Sequence, residues 1–188
     1  MAPKKTALSE CIQKTLHFLE KEKVDFFLLG GVALSFLGEP RLTRDMDVDI
    51  FLTKDQAIGF LKKAKKAAFK FDEKTMSERI QTFGNFRMSY KKIPVDMILA
   101  STEFEKLALK RRKRVPFCGE KAYIPSPEDF ILLKVIPGRP KDLVDIESVV
   151  LKYEGKLDVK YLQQWAQKIS DEMENFRVWH QLQKLLKL

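Results

Sequence analysis

Leu28–Leu52 reads LLGGVALSFLGEPRLTRDMDVDIFL, and its order of residue types decides the fold. An apolar run meets Gly30-Gly31, a short apolar segment follows, and an Arg-x-Thr turn then leads into three alternating aspartates. That order predicts strand, turn, helix, loop and strand. Asp45, Asp47 and Asp49 are spaced two apart, so a strand projects them on one face, roughly 7 Å from neighbour to neighbour. At a near-surface effective dielectric each adjacent pair repels by about 2 kcal/mol. Such a face calls for positive charge.

A divalent metal is the natural counter-ion, because hard oxygen ligands suit Mg²⁺ or Mn²⁺, and Mg²⁺ is typically held by one or two carboxylates plus substrate phosphates. Phosphates have a seat as well. Phe26-Phe27-Leu28-Leu29 reads as a buried strand, Gly30-Gly31 as a turn that lets backbone approach a ligand, and Val32-Ala33-Leu34 as a helix start whose free N–H groups attract anions. Plainer readings stand beside these. Gly-Gly after a strand is often only a turn, and alternating acids can be a strand's solvent face over buried Met46, Val48 and Ile50. The combination favours the functional reading.

These residues resemble the polymerase-beta-like nucleotidyltransferases, whose signature is a hydrophobic strand, Gly-Gly or Gly-Ser, a helical turn or two, and Asp-h-Asp entering a second strand. Gly30-Gly31, Arg41-Leu42-Thr43-Arg44 and Asp45-Met46-Asp47 look like the small prokaryotic branch related to AbiEii-type abortive-infection toxins and minimal nucleotidyltransferases. The family's third carboxylate sits on a later strand, and Asp96 in Ile93-Pro94-Val95-Asp96-Met97-Ile98-Leu99 matches it, an isolated acid in an apolar run that needs a partner or a metal. The resemblance implies two Mg²⁺ (or Mn²⁺) ions on Asp45, Asp47 and Asp96, the three catalytic residues, with Asp96 as the base. Asp47-Val48-Asp49 fits the same pattern shifted by two; the first register is adopted because it follows Arg-x-Thr directly, leaving Asp49 a spare ligand or a solvent-facing acid.

The related small enzymes also carry a Lys on a later helix, followed by Gly-Arg-x-Lys-Asp-x-x-Asp. Here Lys134 precedes Gly138-Arg139-Pro140-Lys141-Asp142-Leu143-Val144-Asp145. Lys134 is the one charge in an apolar helical run, so it is either a snorkelling lysine or a phosphate-binding one, and the resemblance favours the second. Asp142 and Asp145 lie one helical turn apart and can orient Lys134 or Arg139, or cap the helix. The substrate-binding set implied is Gly30, Gly31, Arg41, Thr43, Lys134, Arg139, Lys141 and Asp142. The activity implied is transfer of a nucleoside monophosphate from a nucleoside triphosphate to a hydroxyl acceptor on RNA, protein or a small molecule, releasing pyrophosphate.

Outside these motifs, 188 residues suit one domain, with a sheet-containing core over about 1–125 and a helical part over about 126–188. With 45% hydrophobic and 32% charged residues, neither disorder nor a membrane span is suggested. No run approaches transmembrane length and Met1–Lys5 leads into no signal-peptide core, so a cytoplasmic protein is expected. Cys11 and Cys118 read as ordinary buried thiols in a reducing compartment. His17 and His180 have no companions at ligand spacing. The net charge of +9 favours polyanionic partners. Part of it is local, in Lys62-Lys63, Lys65-Lys66 and a Lys110–Arg114 run at a helix end, which solvation or the helix dipole explains as well as nucleic acid does.

Helices are expected from Leu8 to near Lys23, over 31–38, from Thr53 and Gln56 of a capping box, over 102–113, from Ser126 to Pro137-Gly138, and over 141–153, 158–169 and 172–187. Leu162, Trp165 and Ile169, then Phe176, Trp179 and Leu182, are the expected packing faces of the last two. Strands are expected at 26–29, 46–52, 79–90, 93–100 and 121–124, with a turn at Lys91-Lys92. Interleaved elements with one hairpin give an α+β fold, a mixed sheet flanked by helices with a helical C-terminal part. A phosphatase using Asp-x-Asp places its apolar strand before the pair, whereas here it follows, so that class loses. A non-catalytic nucleotide-binding module is the alternative, and a plain RNA-binding adaptor rests on charge alone. The sequence leaves open the oligomeric state, the acceptor and the base of the nucleotide.

Overall fold

Four strands decide which side chains face the core: Phe26–Leu28 (β1), Met46–Ile50 (β2), Asn85–Tyr90 (β3) and Ile93–Leu99 (β4). They form a sheet in the order β1-β2-β4-β3, with β2 and β4 parallel and the other two pairings antiparallel. Alternation then turns Met46, Val48, Val95, Met97, Phe86 and Met88 inward, all essentially unexposed, and turns Asp47, Asp96 and Arg87 to the other face. The hairpin between β3 and β4 turns on Lys91-Lys92, both at positive φ (50° and 67°). Two consecutive left-handed residues match the right-handed twist of the strands, so the turn fixes the register that sets Arg87 opposite Asp96. The computed structural model describes residues 6–186; Met1–Lys5 and Lys187 of the expected last helix lie outside them.

The chain divides into two compact units, Met1–Val32 with Leu42–Ile124, and Ala33–Arg41 with Pro125–Leu188. In the first, helices Ala7–Lys21 (α1), Lys54–Lys66 (α3) and Glu103–Arg111 (α5) each begin on a capping box, at Thr6, Thr53 and Thr102. Phe18 of α1 packs on Phe60 of α3 and on Phe69, with ring centroids 4.9 and 5.4 Å apart, and this aromatic cluster continues to Phe86 and Tyr90.

Two elements differ from the sequence expectation. Residues 79–83 are helical, part of Glu73–Phe83 (α4), which is capped by the Asp72 carboxylate accepting from the Thr75 N–H at 2.8 Å and closed by Gly84 at φ +65°. Among its residues only Ile80 is buried, so no apolar stripe marks it in the sequence. The Lys110–Arg114 run does not lie wholly at a helix end either. Arg112 is extended at the close of α5, and Lys113–Phe117 (β5) pairs with Glu120–Ile124 (β6) in a second, two-stranded sheet. Cations and Pro116 on β5 are what an unpaired strand edge favours. Cys11 is buried as expected, but Cys118, in the turn of that hairpin, is only half-buried.

The second unit is helical: the second half of Gly30–Leu37 (α2), then Pro127–Val135 (α6), Pro140–Lys152 (α7), Val159–Glu172 (α8) and Arg177–Leu186 (α9). Helix α6 starts on Ser126, with Pro127 at its first position. Phe130, Ile131, Leu132 and Val135 of α6, Ile146 and Val149 of α7, Leu162 of α8 and Leu182 of α9 are its core. Trp165 and Trp179 are half-buried. Phe176, expected in the packing face, is 53% exposed because the last helix starts only at Arg177. No helix among the described residues is long and apolar enough to cross a membrane.

Candidate active site

The aspartates stand where strand geometry puts them. Asp47 of β2 lies in register with Asp96 of β4, and Asp96 in turn with Arg87 of β3, so an acid, an acid and a cation line up across three neighbouring strands on one face. Asp45, just before β2, accepts a 2.9 Å hydrogen bond from the Thr43 hydroxyl, which fixes its carboxylate from within the Arg-x-Thr turn. Asp45 and Asp47 are half-buried.

Gly30 completes this part of the site. Its φ of +58° belongs to the left-handed region, and a Cβ placed there would sit 1.9 Å from Oδ2 of Asp47. Leu29 N–H donates to the Asp47 carbonyl at 2.9 Å, so the turn that starts α2 is pinned against β2. Glycine is required here for two reasons at once, backbone conformation and close approach to a carboxylate.

Asp49 differs from its two neighbours. It is 2% exposed rather than solvent-facing, and its Oδ1 has no hydrogen-bond partner among the described residues. Burial pushes its carboxyl well above the usual range, and the charges of Glu105 and Asp47 push it further.

Arg87 is the residue that sequence reading missed. Its Nε and Nη2 donate to Oδ1 and Oδ2 of Asp96 at 2.6 and 2.7 Å, a two-pronged pair. The bonds to Asp96 raise the guanidinium above its ordinary value, and the charges of Asp45 and Asp47 add to this, so all three acids act on one arginine. The signal was available: a two-residue turn at Lys91-Lys92 pairs Tyr90 with Ile93, and three steps back along both strands lies Arg87 opposite Asp96.

In the helical unit, Lys134 is 6% exposed and its Nζ donates to Asp142 Oδ1 at 2.8 Å and to Asp145 Oδ2 at 2.9 Å. Each of those acids also receives an arginine. Arg41 forks onto Asp145 at 2.7 and 2.9 Å, and Arg139 onto Asp142 at 2.5 and 3.2 Å. Burial alone would raise both carboxyls, but the bonds from Arg139 and Lys134 to Asp142, and from Arg41 and Lys134 to Asp145, outweigh it and hold both below the usual range. Asp142 and Asp145 thus orient Lys134 and the arginines. The start of α7 has no side-chain cap. Lys141 is exposed beside them.

As to a metal, the donor chemistry of Asp45, Asp47 and Asp96 fits a hard divalent cation: all oxygen, with two of the acids in register. Among the described residues no three His, Cys, Asp or Glu side chains converge at ligand spacing, and both oxygens of Asp96 accept from Arg87.

This architecture is shared. An antigenic nucleotidyltransferase-like protein from Paracoccidioides brasiliensis superposes with TM-score 0.54 at 19% identity, over 96% of this chain and 92% of that one. The antibiotic-resistance factor ANT(2'')-Ia gives 0.60 at 12% identity, over 89% and 95%. The lincosamide antibiotic adenylyltransferase LnuA, solved with lincomycin, gives 0.52 at 15%, over 77% and 96%. At these identities the likeness shows a nucleotidyltransferase-like fold. No curated protein matches the sequence. Residues 6–186 match the family model described as "Nucleotidyltransferase of unknown function (DUF6036)", and with nearly its whole length covered, the chain belongs to that family of nucleotidyltransferases.

Proposed function

We propose that this protein moves a nucleoside monophosphate from a nucleoside triphosphate to a hydroxyl acceptor, releasing pyrophosphate, on the carboxylate face of β2 and β4. The observation that carries the reading is the register of Asp47 with Asp96, beside a glycine pressed against Asp47. Asp45 and Asp47 would hold Mg²⁺ or Mn²⁺, with Asp96 joining for a second ion; the bound cation would neutralise charge on the phosphates and the departing pyrophosphate. Asp96 would take the proton of the acceptor hydroxyl as its oxygen bonds the α-phosphorus and the bond to the bridging oxygen breaks. The first N–H groups of α2, at Gly30 and Gly31, would face phosphate oxygens. Thr43 holds Asp45 in place.

In the helical unit, Arg41, Arg139 and Lys141 would supply cationic groups for the nucleotide, whereas Lys134 and Asp142, bonded to one another, hold those arginines in position. Two solved neighbours are named for antibiotics, which supports a small-molecule hydroxyl as acceptor ahead of RNA or protein. A cytoplasmic setting, where nucleoside triphosphates and Mg²⁺ abound, suits the reaction.

Calorimetric titration of each nucleoside triphosphate with Mg²⁺ into wild type and Asp47→Asn tests the reading. Binding that needs both metal and Asp47 supports it, and absence of binding to any of the four by folded wild type overturns it. The two-pronged Arg87 on Asp96 favours a second reading, a nucleotide-binding module without catalysis. Transfer activity that vanishes in Asp96→Asn would exclude that reading.

A further inference from the structure

A carboxylate that is to ligate a metal or accept a proton must have a lone pair free. Arg87 takes one lone pair on each oxygen of Asp96, at 2.6 and 2.7 Å, so a metal or a proton arriving along that edge of the carboxylate meets a guanidinium. We infer that Arg87 is a positioning residue that occupies Asp96 in the resting protein, and that divalent cation binding displaces it. This rests on the metal-dependent reading above and adds to it a defined off state.

Three features make the arginine displaceable. Its side chain is 62% exposed and projects from β3, an edge strand of the sheet, so leaving Asp96 returns its head to water with little packing lost. Asp45 and Asp47 stand near enough to Arg87 to act on it electrostatically, so a cation that enters among these acids meets the same field that holds the arginine. A dication interacts with that set of carboxylates more strongly than a single guanidinium charge does. The hairpin register, fixed by the two left-handed lysines, keeps the Arg87 backbone beside Asp96 whatever its side chain does, so the contact re-forms when the ion leaves.

The geometry also predicts how the two cations exclude one another. A guanidinium spans both oxygens in the carboxylate plane, whereas a metal at about 2.1 Å takes one of them and repels the like charge beside it. Arg87 therefore lowers the apparent metal affinity by the share of time it holds Asp96. For an exposed but well-aligned pair that share corresponds to about two- to fivefold. A lysine at the same place, with a single point charge and no fork, competes less well.

The test is Mn²⁺ binding to the full chain without nucleotide, followed by electron paramagnetic resonance of the free ion, for wild type, Arg87→Met, Arg87→Lys and Asp47→Asn, each checked for native circular dichroism. Expected are binding lost in Asp47→Asn, binding tightened about two- to fivefold in Arg87→Met, and an intermediate value in Arg87→Lys. Binding that needs Asp47 but is unchanged or weaker in both Arg87 variants overturns the displacement and leaves the metal site standing. Should Arg87→Met not fold, Arg87→Lys alone decides between these outcomes. Mn²⁺ binding absent in all four, or indifferent to Asp47, overturns the metal reading and this inference with it.

Discussion

Asp47 and Asp96 face each other across the parallel pairing of β2 and β4, with no residue between them in the ladder. Like charges directly opposite in a sheet destabilise it, and Arg87, on the next strand, answers that cost at Asp96.

From that pairing comes the first expectation. Asp47→Asn keeps the fold, with a thermal midpoint equal to wild type or higher, because it removes one member of a repelling pair worth up to about 1 kcal/mol. Asp96→Asn also gives up the exposed ion pair with Arg87 and so stays within about 1 kcal/mol of wild type. Nucleotidyl transfer falls in Asp96→Asn by about 10²–10⁴-fold, the range for loss of a general base. Melting curves read beside radiolabelled transfer check it; a fall in stability with transfer retained would make the pair structural.

Gly30 and Gly84 separate two roles of glycine. Both have positive φ, +58° and +65°, but a Cβ on Gly84 meets nothing within 4 Å while one on Gly30 strikes Asp47. Gly84→Ala should therefore cost about 1 kcal/mol of backbone strain alone. Gly30→Ala should cost more, about 2–3 kcal/mol, and also weaken Mn²⁺ binding by pushing the Asp47 carboxylate aside. Urea denaturation of both variants, with metal titration, distinguishes them.

Much of this was legible in the sequence, where a local rule was strong. Period-2 alternation placed Met46, Val48 and Ile50 inside, and capping residues located α3 and α6 to within a residue. What escaped had weak local signal. Helix α4 buries only Ile80, and β5 is an edge strand with cations and a proline. Burial of Asp49 was not legible either. Alternation assigns it to the face of Asp47, and only tertiary packing decides that this end of the face is closed. The bond of Arg41 to Asp145 joins residues 104 positions apart, which no spacing rule reaches.

Asp49 offers a stability gain. It is buried with an orphaned oxygen, so Asp49→Leu, which keeps the branched outline but is bulkier, should raise stability by about 1 kcal/mol in chemical denaturation. Mn²⁺ affinity should stay unchanged; its loss would show Asp49 to be a ligand.

The helical unit should be sensitive to acid. Asp142 and Asp145 are held below the usual carboxylate range by Arg139, Arg41 and Lys134, against the opposing effect of burial. Unfolded, both titrate near about 3.9. A lowered folded value means their contribution is complete above the unfolded value and is lost as pH falls through about 4 toward the folded one. Thermal midpoints should drop over that window, and Asp145→Asn, less stable at neutral pH, should show a shallower slope.

Lys134 is where a phosphate contact and a structural role predict opposite results. Its ammonium lies between two buried acids, at 2.8 and 2.9 Å, and is almost sealed from solvent. Removing a partner from a buried ion pair leaves uncompensated charge, which typically costs about 3–5 kcal/mol. Because Asp142 and Asp145 each keep an arginine, Lys134→Met should fall at the low end, about 3 kcal/mol in urea denaturation. Lys134→Arg should not restore it, since a planar fork does not fit where one nitrogen meets two carboxylates. A lysine that instead bound phosphate directly would leave stability near wild type in Lys134→Met and raise the nucleotide dissociation constant alone. If Lys134 acts by holding Arg41 and Arg139, nucleotide affinity and stability should fall together in Lys134→Met, whereas Arg139→Ala, at an exposed position, should weaken the nucleotide with a much smaller loss of stability.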